Sequence, residues 1–328
     1  MAQYTGIQGQ NILIVSSDPS NPTEGQIWYN STSNLLKGYQ FAVVNAWASG
    51  GNLNTARVDF SSGGTQTAAL AAGGYTGTVD TGATELYNGT SWTSNPTGLN
   101  TVRSATSQGV VGTQTASISS FGYTTANTAA TESWNGSSWT SVNSGNTARR
   151  ALGGVGLQTA ALSFGGFTSG NSDASESWNG TSWTTTSNLN TSRRRGAAIG
   201  NQSAALYATG TDGSSSISSM SSWNGTSWTA SPASVNTARE STNAAGTQTA
   251  GLMFGGTPVP SFGSATEIWN GTSWTSNPTG LATGRYEPAA AGTQASALAF
   301  GGGTPGGPVT ATEEWTSQTL AVRTITTS

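Results

Sequence analysis

A tryptophan returns about every 45 residues along this chain, at Trp47, Trp92, Trp139, Trp183, Trp228 and Trp274. An arginine keeps the same beat, at Arg57, Arg103, Arg149, Arg193, Arg239 and Arg285. A period of roughly 40–50 residues with strand-like units is what a β-propeller blade produces. Each unit is one small sheet that buries its faces only against its neighbours. The beat also decides a question that composition alone leaves open. Charged residues make up 8% of the chain, against the usual ~25%, and Ser, Thr, Asn, Gly and Ala fill the gap. Such a sequence could be disordered. Disordered tracts are poor in aromatics, however, and do not place eleven of twelve tryptophans in register.

Residues 146–189 serve as the type unit. Four strands are expected: one around 151–156, TAALSFGG at 159–166, ASESW at 174–178 and TSWTT at 181–185. The second is small and apolar, which suits a crowded, buried strand. Between the third and fourth lies Asn179-Gly180, a hairpin signal that expects φ > 0 at both turn positions. It returns as Asn88-Gly89, Asn135-Gly136, Asn224-Gly225 and Asn270-Gly271. The loop holds two or four residues. Either way Trp178, Trp183 and Glu176 share a face, because strand side chains alternate with period two.

A glutamate between two large aromatics is expected to be partly buried and to need a partner. Glutamates stand in register at Glu85, Glu132, Glu176, Glu267 and Glu313, with Ser221 in the fourth unit, and an arginine is present in all six. The expectation is an Arg–Glu pair within or between blades, packed beside tryptophan. The alternative is a ring of arginines lining a ligand channel. Arg193-Arg194-Arg195 reads as one repeat arginine with two solvated neighbours.

Composition narrows the chemistry. The chain has no cysteine and no histidine, so a disulfide framework, the usual zinc and copper ligands and the commonest general base are missing. No metal or other cofactor is expected. Net charge is −3 with a single lysine, Lys37, which gives no basic stripe for nucleic acid. No apolar run approaches the ~18 residues of a membrane span, and the first residues lack the basic and cleavage regions of a secretory signal.

The units resemble the kelch repeat. The residues that carry the resemblance are Gly165-Gly166 after the second strand, Glu176-Ser177-Trp178, and Trp183 beyond them. Gly73-Gly74, Gly255-Gly256 and Gly301-Gly302 repeat the glycine pair, which degrades to Phe121-Gly122 and Thr209-Gly210 in two units. The resemblance spans about residues 40–316. It implies an all-β, six-bladed kelch-like β-propeller, with repeats near 57–95, 103–142, 149–186, 193–231, 239–277 and 285–316. The sixth unit keeps Glu313 and Trp315 but lacks Asn-Gly, and Leu320 stands where its second tryptophan belongs. Residues 41–49, with Trp47, are therefore expected to supply the outer strand of the last blade and close the ring. The tail at 319–326 also reads as a strand, which competes for that place or pairs with the N-terminal segment.

Residues 1–38 are read as a separate N-terminal hairpin segment, with 39–328 as the propeller. Gly25-Gln26-Ile27-Trp28-Tyr29-Asn30 is similar to a short hairpin segment in structural proteins of tailed phages, particularly marine ones, and repeats of the ATESWNGTSWT type are similar to kelch-like propellers in such virions. The resemblance implies a non-enzymatic virion surface protein, made in the host cytoplasm and released by lysis. Other virion proteins would hold it through the N-terminal segment, as a homo-oligomer in the particle. The propeller would recognise a host-surface glycan or protein as a tail fibre or receptor-binding component. A head decoration or head fibre and a soluble bacterial carbohydrate-binding adhesin are the alternatives. Enzymatic readings lack a spacing of acids that demands acid–base work. Loops of variable length at 74–82, 166–173, 210–219, 256–263 and 302–308 are the candidate recognition surface, with Tyr75, Tyr123, Phe167 and Phe262 in or beside them.

Overall fold

The computed structural model describes residues 12–106, 111–257 and 263–325, and no helix occurs among them. The chain divides into a larger unit, Ala46–Trp315, and a smaller one of Met1–Asn45 with Thr316–Ser328. The strands Leu35–Ser49 and Thr312–Thr324 each run from one into the other, and each unit is described by itself.

The larger unit is a series of small antiparallel sheets in sequence order, compatible with a propeller-like fold. The type unit forms Gly153–Leu157, Ala160–Phe164, Ser175–Trp178 and Trp183–Thr185, hydrogen-bonded in that order. Equivalent four-stranded sheets span residues 61–95, 197–234 and 243–277. In the second unit the described residues form three strands, Ser117–Ser120, Thr131–Trp134 and Trp139–Val142. There Gly112 bridges Ser117 where a first strand would lie.

The Asn-Gly hairpin differs from expectation. Trp178 pairs directly with Trp183, so the loop holds the four residues 179–182. Only the glycine has positive φ, +92° at Gly180. Asn179 instead accepts from the N–H groups of Thr181 and Ser182, both at 2.9 Å. The turn needs asparagine for its side-chain oxygen rather than for a left-handed backbone.

The partial decay of the glycine pairs has a steric cause. The first position is left-handed throughout, and Phe121 and Thr209 adopt it at φ +60° and +63°. At the second position a Cβ on Gly122 would lie 2.5 Å from the Ser104 carbonyl oxygen, and one on Gly210 2.5 Å from that of Arg194. A strained non-glycine residue survives at the first site, whereas backbone blocks any side chain at the second.

Neighbouring sheets are joined by repeated side-chain bonds. Each glutamine in the hairpin between first and second strands reaches the third strand of the preceding sheet: Gln114 to Tyr87 O at 2.5 Å, Gln202 to Trp178 O at 2.5 Å and Gln248 to Trp223 O at 2.6 Å. Gln66, of the first sheet, reaches Trp315 O at 2.6 Å. Each fourth-strand tryptophan likewise donates to the preceding third strand, as Trp139 does to Thr84 Oγ1 at 2.9 Å and Trp183 to Thr131 Oγ1 at 3.0 Å. Trp92 of the first sheet donates to Thr312 Oγ1 at 3.1 Å. The first strands touch their neighbours in turn, and Ala289–Gly292 touches Ser61–Thr65.

In the last sheet the order is Ala289–Gly292, Ser296–Phe300, the strand from Thr312, then the strand ending at Ser49. Trp47 lies 5.5 Å from Trp315, the spacing that Trp178 and Trp183 keep at 5.4 Å, and it donates to Thr266 Oγ1 at 2.9 Å. It occupies the position of a fourth-strand tryptophan. The tail to Thr324 continues the strand that begins at Thr312 rather than competing for the outer place, and Ile325 N–H donates to Leu36 O of the N-terminal segment at 2.9 Å; Thr326 lies outside the described residues.

In the smaller unit Leu13–Val15 pairs in parallel with Ile27–Asn30, which pairs antiparallel with the strand from Leu35. Asp18 ties the hairpin together, accepting from Lys37 Nζ at 2.8 Å, Asn30 Nδ2 at 2.7 Å and Trp28 Nε1 at 3.0 Å. These bonds, that of Lys37 foremost, hold its carboxyl down at about 2. Trp28 is fully buried, which accounts for the tryptophan of the Gly-Gln-Ile-Trp-Tyr-Asn stretch.

Candidate functional site

In a repeat protein, a residue needed in every unit builds the unit, and specialisation is sought where the units differ. The repeat arginines belong to the first kind. Arg57 pairs with Glu85, Arg103 with Glu132 at 2.5 Å, Arg149 with Glu176 at 3.0 Å, Arg239 with Glu267 at 3.0 Å and Arg285 with Glu313 at 3.1 Å. Every pair lies within one unit, and all ten side chains are buried. The second carboxylate oxygen accepts a backbone N–H from the turn before the arginine, as from Asn100 to Glu132 at 2.7 Å and from Asn146 to Glu176 at 2.6 Å. Burial pulls the guanidinium pKa values down and the glutamates push back, but an arginine remains charged in such a site. Arg193 has no carboxylate and donates to Ser221 Oγ and Ser219 O, both at 2.7 Å. None of these six arginines lines the cavity described below.

The residues that follow them are of the second kind. Two positions on stand Asp59, Ala105, Ala151, Arg195, Ser241 and Glu287, all left-handed, with φ between +49° and +58°. This conformation turns each peptide toward the next unit. Ala151 N–H donates to Ala105 O at 2.9 Å, Arg195 to Ala151 at 3.0 Å, Ser241 to Arg195 at 2.8 Å and Glu287 to Ser241 at 2.7 Å. One backbone conformation therefore brings six side chains, three of them charged, to one place.

A cavity of about 420 Å³ opens beside this row. Asp59, Ser104 and Arg195 line it, together with a ladder of Tyr123, Arg150, Phe167 and Arg194. The Arg150 guanidinium lies 4.6 Å from the Tyr123 ring centroid and 5.0 Å from that of Phe167, and Arg194 lies 4.8 Å from Phe167. Stacking on rings orients the guanidinium planes and leaves their edges for an incoming group. Arg194 Nη1 also donates to Asn171 Oδ1 at 2.7 Å. Among the described residues neither Arg150 nor Arg194 has a carboxylate within salt-bridge distance.

Deeper in the row, Asp59 and Glu287 are hydrogen-bonded to each other. Arg195 Nε lies 3.3 Å from Glu287 Oε1, which also accepts from Ser241 Oγ at 3.2 Å. Both carboxyls are pushed up, chiefly by burial, and Glu287 reaches about 8 despite the attraction of Arg195. The pair thus holds a proton near neutrality. Asp59 Oδ1 is sealed from solvent without a hydrogen-bond partner.

The raised carboxyl has a sign for stability. Between the ordinary value near 4.5 and about 8, the folded protein keeps a proton that the unfolded chain has released. The stability contributed by this group is complete below the unfolded pKa and lost as pH rises through 8. Glu287→Gln keeps a donor toward Asp59 and removes the titration. The variant is expected to match the parent in melting temperature near pH 5 and to exceed it at pH 9, by up to a few kcal/mol in unfolding free energy. Melting curves that shift equally at both pH values would refute the shared proton.

Of the candidate recognition residues, Tyr123 and Phe167 line the cavity. Tyr75 lies in a loop, 37% exposed, its hydroxyl donating to Gly77 O at 2.9 Å. Phe262 lies outside the described residues. The reading of the arginine triplet needs correction. Arg194 and Arg195 are half-buried cavity residues, because the left-handed residue after Arg194 turns both inward. The Asp59–Glu287 pair was not legible from spacing, since its members come from the first and last units. A sequence signal did exist: the position two past each repeat arginine is charged in three units and small in the others.

No protein-family profile matches this chain, and no curated protein matches it at a significant level. Among the described residues no three metal-ligating side chains gather, and no helix is long and apolar enough to cross a membrane.

Proposed function

We propose that the chain is a non-enzymatic binding protein, a six-bladed kelch-like propeller closed by its N-terminal strand and carried on the surface of a tailed-phage particle, where it recognises the host surface. The observation that carries the binding role is the cavity. Residues from successive units converge there on stacked arginines that, among the described residues, have no carboxylate within salt-bridge distance. Such pockets with a few convergent polar groups are the usual form of a ligand site. The acid pair supports binding rather than glycoside hydrolysis, since its carboxyls touch each other, whereas hydrolytic pairs stand ~5–9 Å apart to admit sugar or water.

Support for a closed six-bladed ring comes from Gln66–Trp315, Trp92–Thr312 and Trp47–Thr266, bonds that repeat between the chain's ends the contacts made elsewhere between adjacent sheets. Support for anchoring comes from the edge strand Leu13–Val15, where Leu13 and Ile14 are 50% and 70% exposed. An apolar edge of that kind offers a place for another virion protein to pair. The particle assignment itself rests on the resemblance of the N-terminal segment and of the repeats. Eleven of the 25 charged side chains (11 basic, 14 acidic) are the six repeat arginines and their five glutamates. The remaining surface is nearly uncharged and indifferent to salt.

Immunogold electron microscopy of particles with antibody to this chain tests the proposal. Gold at the tail is expected. Gold over the head would make the protein a decoration, and unlabelled virions would overturn the phage reading and leave a soluble adhesin.

A further inference from the structure

The geometry points to a sugar acid as the ligand of the cavity: a polyhydroxylated ring bearing a carboxylate, taken as one residue of an acidic glycan. This inference deepens the host-recognition reading and rests on it for the biological source of the glycan.

The cavity presents two unlike kinds of group in its lining. On one wall Arg150 and Arg194 offer guanidinium edges with no carboxylate partner among the described residues, held in plane by Tyr123 and Phe167. A guanidinium fork matches a carboxylate by two parallel hydrogen bonds. On another wall Asp59 and Ser104 line the cavity, a carboxyl and a hydroxyl within reach of a ligand's hydroxyl groups. An inorganic anion would pair with the arginines and bring no hydroxyl to Asp59; a neutral sugar would do the reverse. A hydroxylated carboxylate satisfies both.

The rings do not serve as a sugar platform. Phe167 has a guanidinium stacked at each of two arginines, and Tyr123 carries one. They act as positioning residues for the cations. The volume of about 420 Å³ lies at the small end of ligand pockets, which suits one sugar residue entering end-on rather than a chain lying across it. Arg195 is engaged by Glu287 and takes no primary part.

The test is calorimetric titration of the full chain with glucuronate, galacturonate and N-acetylneuraminate. Glucose and galactose, inorganic sulfate and triglutamate are titrated alongside. At least one sugar acid is expected to bind, with the matching neutral sugar and sulfate at least about tenfold weaker, the factor that loss of one charge-assisted hydrogen bond produces. Arg194→Gln and Arg150→Gln are each expected to weaken the sugar acid by about tenfold or more, with melting temperature checked to exclude misfolding. Asp59→Asn is expected to weaken the sugar acid and leave sulfate unchanged. Three outcomes overturn the inference: no binding by any of the three acids, equal binding of sulfate or triglutamate, or binding that survives loss of both arginines. The result is independent of particle labelling. Gold on virions without sugar-acid binding sinks this inference alone, and sugar-acid binding with unlabelled virions sinks the phage reading alone.

Discussion

Glu132→Ala is expected to destabilise the protein by about 3–5 kcal/mol, the cost of leaving a buried charge without its partner. Arg103 is fully buried, with Glu132 at 2.5 Å and its other bonds to Ser119 O at 2.9 Å and Thr101 O at 3.1 Å. Removing the carboxylate strands a cation that water cannot reach, and it also frees the Asn100 and Thr101 N–H groups that Glu132 accepts. The melting temperature should fall on the order of 10 °C. Two comparisons separate the charge from the packing. Ser221→Ala, at the same register in the unit without a glutamate, removes one neutral acceptor from Arg193 and should cost only about 1–2 kcal/mol. The double variant Arg103→Met with Glu132→Leu removes both charges and should recover most of the loss. A Glu132→Ala variant that melts within a degree or two of the parent would show that the pairs contribute nothing to the fold.

Removal of residues 1–49 is expected to abolish cooperative folding of the larger unit, whereas removal of residues 1–36 leaves it intact. The first deletion takes Trp47, which packs edge-on against Phe254 at 4.9 Å, beside Trp315 at 5.5 Å, and donates to Thr266. It also strips the outer strand from the last sheet and exposes a strand edge. Trp47 is partly buried, so Trp47→Ala alone should cost less than the ~3–5 kcal/mol of a fully buried aromatic, about 2–3 kcal/mol. Calorimetry of the three variants checks this. An unchanged transition in the 1–49 deletion would mean that the larger unit does not depend on that strand.

The two experiments probe features that the sequence revealed to different degrees. The Arg–Glu register was visible because it repeats, and repetition marks a residue that every sheet requires. What the register left open was whether the pair joins two units or lies within one. The structure places it within one, since arginine and glutamate stand at the start and third strand of the same sheet. The place of Trp47 beside Trp315, in the outer strand of the last sheet, was legible for the same reason, from a missing beat at one end and an extra one at the other. The four-residue hairpin was not. Asn-Gly fits both a two-residue turn and an asparagine-capped loop, and only the pairing of Trp178 with Trp183 chooses between them.

The sequence by itself determined the kind of sheet, the fact that it recurs and the residues that hold it together, because these are local periodic demands written once per unit. Tertiary structure alone decided the site. Asp59 and Glu287 are far apart in sequence, and Arg150 and Arg194 look like ordinary surface charges. They meet because each sheet places the residues after its arginine at one point, and a left-handed backbone turns them to their neighbours. Convergence of that kind depends on how the units stack, and no single unit contains it.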